Sequence, residues 1–193
     1  MALEIDFADP ARRAALEEAR KLIIAGYRIL RDDVGADNPS DNAFLREARV
    51  CALARIVWVG DRGGADGRTP HGEEVEIKST RLDGRSSLNF PTSRYVSRTV
   101  IDRFRRATYW LFAIFDVYEE LVAVYRVDAP DMRPLIDALE ERLARSEAAR
   151  LALQNNPKFS FTSVRRVAQP IYLHADFTEQ LRPRGGWTLV RES

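Results

Sequence analysis

Between Gly64 and Ser79 the chain reads GADGRTPHGEEVEIKS, and the second half of this stretch decides the fold. From Glu73 to Thr80, the charged residues Glu74, Glu76 and Lys78 alternate with Val75 and Ile77. This period of two predicts a strand with one charged and one apolar face. On such a strand Glu76 and Lys78 share a face about 7 Å apart. Asp66 lies upstream in a loop, Gly60 to Gly72, that holds four glycines before Gly72 itself and must turn tightly or approach something closely. Two carboxylates and an ammonium brought together suit a hard divalent cation. Mg²⁺ needs only one or two carboxylates, because it keeps waters and takes further oxygens from a phosphate. Asp66 and Glu76 would supply those oxygens, the Ile77 carbonyl could add a third, and Lys78 would stand beside a phosphate under attack. Glu-x-Lys alone also describes a solvated strand face, and the pattern leaves that alternative open.

Outward from this strand the elements are punctuated clearly. Downstream, Val96, Val100 and Phe104 recur every four residues, so Thr92 to Ala107 reads as a helix with Arg94, Arg98 and Arg105 away from the core. Two apolar runs, Tyr109 to Phe115 and Leu121 to Val127, flank an acidic turn and read as a strand pair. Met132 to Ala149 is an amphipathic helix with Ile136, Leu139 and Leu143 inward, and Phe159 to Val167 reads as a further strand. Upstream, Asp9 is a suitable N-cap and Pro10 a suitable first residue for a helix that Gly26 would close, with Leu16, Ala19, Leu22 and Ile23 on one face. A second helical pattern would turn Phe44, Val50 and Leu53 inward, followed by the apolar run Ile56 to Val59. The order is mixed α/β, an α+β arrangement without the regular alternation of a doubly wound sheet.

Composition narrows the chemistry. With 193 residues, 45% of them apolar and 31% charged, the chain suits one folded domain with a real core. No apolar run approaches the roughly 18 residues that span a bilayer, and the start carries Glu4, Asp6 and Asp9 instead of a basic signal. A cytoplasmic protein without membrane contact is the expectation. A single cysteine, Cys51, and two histidines, His71 and His174, exclude an internal disulfide and leave histidine-based catalysis or a zinc cluster poorly supplied. Carboxylates, Lys and Arg remain. The net charge of +1 conceals a block from Ile77 to Ala107, where Lys78, Arg81, Arg85, Arg94, Arg98, Arg103, Arg105 and Arg106 face only Asp83 and Asp102, an excess of six positive charges. Such a block is an electrostatic footprint for a polyanion, or a solvated helix face.

Several of these segments, taken in order, resemble the PD-(D/E)xK nucleases and, within them, the PvuII-like type II restriction endonucleases. The similarity runs from about Asp41 to Ala168. It is carried by Gly64 to Ser79, by WLFAI at Trp110 to Ile114, by AVYRVDAPD at Ala123 to Asp131, and by Asn155-Asn156-Pro157-Lys158. The resemblance implies a restriction-endonuclease-like core, a mixed central sheet flanked by helices. It implies Asp66 and Glu76 as metal-binding residues and Lys78 as the catalytic lysine. Asn155 and Asn156 would read bases in the major groove, where an Asn can pair with adenine N6 and N7. Asp41 and Asn42 would lie on the DNA and couple binding to cleavage. The chain departs from the pattern at Ser86 to Arg94, SSLNFPTSR, which lacks the histidines that read guanine in the relative. Arg94 could take that contact with Asn89, Ser93 and Arg98 nearby, or Arg94 and Arg98 could hold phosphates only. Gly63 stands where the relative has an acidic residue.

The resemblance thus implies a homodimeric type II restriction endonuclease. It would use Mg²⁺, or Mn²⁺ in its place, to cut double-stranded DNA at a short palindrome, leaving 5′-phosphate and blunt ends. A cognate DNA methyltransferase would be its genetic partner. Residues 1–35 would form a helical dimerisation region, 36–175 the catalytic and DNA-recognition domain, and 176–193 a tail. Two rivals are a repair nuclease with the same core but no sequence preference, and a silent DNA-binding module.

Overall fold

The seven residues Tyr109–Phe115 form strand β5, and every one of them is buried. A strand apolar on both faces belongs in the middle of a sheet covered on both sides. In the computed structural model, which describes residues 10–32, 42–59, 64–82, 88–92, 96–148, 157–181 and 186–192, β5 sits at the centre of a six-stranded mixed sheet. The strands are β1 (Val57–Trp58), β2 (Gly67–Arg68), β3 (Glu74–Arg81), β5, β6 (Leu121–Asp128) and β8 (Gln169–Leu173), in that spatial order. β3 runs parallel to β5, while β6 is antiparallel to it.

Side-chain alternation along β5 splits the core in two. Trp110, Phe112 and Ile114 join Phe90, Phe104, Tyr125, Met132, Ile136 and Phe161 on one face. Leu111, Ala113 and Phe115 join Val50, Cys51, Val75, Ile77 and Val124 on the other. The first face is covered by helices α3 (Arg98–Arg106) and α4 (Ala129–Ala148), with Ile136, Leu139 and Leu143 of α4 buried as expected. The second receives α2 (Asn42–Ala54) through Val50 and Cys51, whereas Leu53, expected inward, is 39% exposed. A one-residue rotation of the helix lets the smaller Cys51 take the inward position against β2.

Two elements differ from the sequence pattern. The helix expected from Thr92 is shorter, because Ser97 caps α3 by accepting from the Val100 N–H, and Asn89–Pro91 instead form β4. The strand expected over Phe159 to Val167 is β7 (Lys158–Ser160) followed by the short helix α5 (Phe161–Arg165). Ser160 ends the strand by accepting from the Ser163 N–H, so local side-chain capping outcompetes the apolar alternation. Residues near the C-terminus form a hairpin of β9 (Phe177–Leu181) and β10 (Trp187–Arg191), whose Phe177 and Leu189 enter the first core face.

The chain divides into two units, up to Leu45 and from Arg46 onward. The sheet and both core faces belong to the second. In the first, α1 (Pro10–Asp32) runs straight through Gly26. One glycine costs a helix about 1 kcal/mol relative to alanine, too little to end it when Arg28 and Ile29 continue the helical sequence. Leu22, Ile23 and Ile29 on α1 are exposed.

Candidate active site

Register places the chemistry. Glu76 pairs with Trp110 and Lys78 with Phe112 across the β3–β5 ladder, so both side chains stand on the aromatic core face, while Ile77 opposite Leu111 enters the other. Glu76 is fully buried and Lys78 nearly so. The solvated-face alternative therefore fails: the charges lie under α3, where the Lys78 ammonium sits 5.7 Å from the Phe104 ring centre and 5.9 Å from that of Trp110.

Asp66 arrives from the neighbouring segment. β2 pairs with β3 only at Gly67↔Val75 and Arg68↔Glu74. Beyond that short ladder the Asp66 carboxylate replaces a strand, accepting the Ile77 N–H at 2.7 Å. Its own carbonyl accepts from Val59 N–H on the β1 side, which fixes the residue from behind. Gly67 makes this approach possible, since a Cβ there would meet Ile56 Cδ1 at 3.0 Å and the Val57 carbonyl at 3.3 Å.

The three predicted residues converge. Lys78 Nζ lies 2.6 Å from Glu76 Oε1, 3.2 Å from Asp66 Oδ2 and 2.9 Å from the Ile77 carbonyl oxygen. The ammonium thus touches all three oxygen groups that the sequence nominates for a metal. Burial would lower the Lys78 pKa, but the Asp66 and Glu76 carboxylates outweigh it and raise the pKa above its ordinary value. Burial pushes the Glu76 carboxyl up, against the pull of Lys78. The second oxygen of Glu76, Oε2, is buried without a hydrogen-bond partner among the described residues. A buried carboxylate oxygen of this kind fits a hard cation. Among the described residues no group of three His, Cys, Asp or Glu side chains gathers, so the donors present are two carboxylates and one carbonyl.

Sequence reading missed Arg103. Its Nη2 donates to Glu76 Oε1 at 3.1 Å, so two cations share one carboxylate oxygen. The signal was its position seven after Val96 and three after Val100, on the inward side of the predicted helix.

The other predicted residues are scattered or undescribed. Asn89 stands on β4 opposite Ser160, and the exposed Lys158 on β7 lies opposite Pro91. Arg98 opens α3 and pairs with Glu147 of α4. Asn42 is the first residue of α2. Asp41, Ser93, Arg94, Asn155 and Asn156 lie outside the described residues. The β4–β7 ladder nevertheless joins the two segments expected to read bases, and Thr92 clamps its end by donating both its N–H and its hydroxyl to the Pro157 carbonyl. The basic block is far less free than its sequence suggests. Each of its described cations is ion-paired: Arg81 with Glu119, Arg105 with Asp137 and Glu140, Arg106 with Glu74, and Lys78, Arg98 and Arg103 as above. Acids from distant segments offset the local excess, as counting along the chain could not show.

No curated protein sequence matches the chain closely enough to serve as a relative. The family described as "Restriction endonuclease PvuII" does match, over residues 22–172, more than three quarters of the chain and all of β1 through β6. With Asp66, Glu76 and Lys78 gathered as that resemblance required, the chain belongs to the PvuII restriction endonuclease family and is a type II restriction endonuclease acting on DNA.

Proposed function

We propose that this endonuclease works as a cytoplasmic homodimer that uses Mg²⁺ to hydrolyse both strands of a short palindromic site in duplex DNA, leaving blunt ends with 5′-phosphates. The observation that carries the reading is the convergence of Asp66, Glu76 and Ile77 oxygens on one point occupied by the Lys78 ammonium. Asp66, Glu76 and the Ile77 carbonyl would hold the ion. Bound there, a divalent ion would supply Lewis acidity to the phosphoryl group and acidify water.

The chain's own residues do the rest. Asp66 and Glu76 are held rigidly, one by the Ile77 N–H and the other by burial in the sheet. Lys78, beside both carboxylates, is placed to stabilise the charge that develops on the phosphate. Water adds to phosphorus, the bond to the 3′ oxygen breaks, and that oxygen leaves with a proton, so phosphate remains on the 5′ end.

Asp41, Asn42, Asn89, Ser93, Arg94, Arg98, Asn155, Asn156 and Lys158 are proposed to bind DNA, with Asn155 and Asn156 reading bases. The exposed ion pair of Arg98 is worth little in water, so a phosphate can replace Glu147. A two-fold dimer presents one site to each strand of a palindrome. The exposed Leu22, Ile23 and Ile29 of α1 support a seam there. A methyltransferase that protects the same site is the expected genetic partner. Digesting a sequenced phage DNA with and without Mg²⁺ and mapping the ends tests all of this. Discrete fragments with blunt, 5′-phosphorylated ends at one palindrome are expected. Random cutting would favour the repair-type rival, and metal-independent cutting would overturn the mechanism.

A further inference from the structure

Two described arginines that tie elements together are well satisfied. Arg46 donates through Nε and Nη2 to the two carboxylate oxygens of Glu119, and Arg165 grips Glu179 in the same forked manner. Arg103 differs from both. Its side chain is only 15% exposed, yet it makes a single hydrogen bond, to Glu76 Oε1, and its Nε is buried without a partner among the described residues. A guanidinium carries five donor hydrogens, and burying one so poorly used is unfavourable unless another partner arrives. Nor does Glu76 need it for charge, since Lys78 already stands closer to the same oxygen, at 2.6 Å against 3.1 Å. Arg98 and Arg105 on the same helix turn to acids of α4, and Arg106 to Glu74; Arg103 is the α3 cation directed at the site.

Two carboxylates and two cations leave this cluster neutral. With a divalent ion held by Asp66 and Glu76 the cluster would carry net positive charge, which suits a phosphodiester. We propose that Arg103 is a phosphate-binding catalytic residue, held beside the site by Glu76 and presenting its unused donors to the scissile phosphate. The guanidinium fork suits the paired oxygens of a phosphodiester, which can accept the donors that are idle now. The inference rests on the reading of Asp66, Glu76 and Lys78 given above and adds a fourth member to that set.

The test compares the full-length protein with Arg103→Gln, which removes the charge and the guanidinium that lies 5.3 Å from the Phe104 ring centre, and Arg103→Lys, which keeps the charge without the fork. Mg²⁺ alone is titrated calorimetrically into the DNA-free proteins, and single-turnover cleavage is measured at saturating Mg²⁺. Arg103→Gln should bind Mg²⁺ about threefold more tightly than wild type or better, because one competing cation has left Glu76. Its cleavage rate should fall about a hundredfold, with Arg103→Lys recovering part of the loss. A merely structural arginine would lose metal binding and melting temperature together, and that result overturns the proposal. So does wild-type cleavage by Arg103→Gln. If the wild-type protein itself neither binds Mg²⁺ nor cuts, the underlying assignment of the site fails instead.

Discussion

Asp66 and Lys78 are separable from the residues proposed to bind DNA, because Lys78 is buried on β3 and the Asp66 carboxylate is spent on the Ile77 N–H and Lys78. Replacing either by alanine removes charge where it develops in the transition state, an effect worth several kcal/mol or roughly three orders of magnitude in rate. Asp66→Ala and Lys78→Ala should therefore abolish cleavage while gel-shift affinity for DNA survives. Gly67 offers a steric test of the same point. Alanine there would press on Ile56 Cδ1 and the Val57 carbonyl, pushing β2 off its neighbours and carrying Asp66 with it. We expect Gly67→Ala to cost about 1 to 3 kcal/mol in urea unfolding and to lower the cleavage rate with little change in DNA affinity. Cys51, beside Gly67, is a packing residue: burial first, then the Glu47 and Asp66 charges, push its thiol up to about 12, so it should resist alkylation in the native protein.

At the scale of elements, two connections carry consequences. The turn from β5 to β6 is tied down by Glu119, which accepts from Arg46 and Arg81 and adopts a positive φ of 64°. Hydrogen bonding from Arg46, then from Arg81, overcomes burial and lowers its pKa from 4.5 to about 2. A depressed carboxylate stabilises the fold fully above its unfolded value and loses that contribution as pH falls through its folded one. Between pH 4.5 and about 2 the stabilisation should disappear. The stability gap between wild type and Glu119→Gln in urea unfolding should then be smaller at about pH 3 than at about pH 6. The second connection is the β4–β7 ladder. Thr92→Val removes the hydroxyl bond to the Pro157 carbonyl but keeps the N–H bond, so a loss of about 1 kcal/mol is expected. Because the ladder leads into both segments proposed to read bases, the ratio of cognate to mismatched-site cleavage should drop more than the cognate rate itself.

For the molecule as a whole, the proposed two-fold assembly is the point to test. The second unit holds the sheet, both core faces and the Asp66, Glu76 and Lys78 cluster, while α1 in the first exposes Leu22, Ile23 and Ile29. Removing residues 1–35 should convert a dimer to a monomer in sedimentation and replace double-strand breaks by slow nicking; an unchanged dimer would place the seam elsewhere. Much of this architecture was legible in residue order. Alternation over Glu73 to Thr80, the apolar run Tyr109–Phe115 and the spacing of Ile136, Leu139 and Leu143 are local periodicities, and backbone geometry turns such patterns directly into strands and a helix. The motif likewise nominated Asp66, Glu76 and Lys78. What periodicity could not decide was which charges would be buried and which would meet. Glu-x-Lys stayed compatible with a solvated strand face until α3 was laid across it, Arg103 counted only as one charge of the basic block, and that block could not be told from a solvated helix face until α4 and the β5–β6 turn supplied its acids. Those outcomes depend on contacts between residues far apart in the chain, and electrostatic energy follows distance in space, which only the folded arrangement sets.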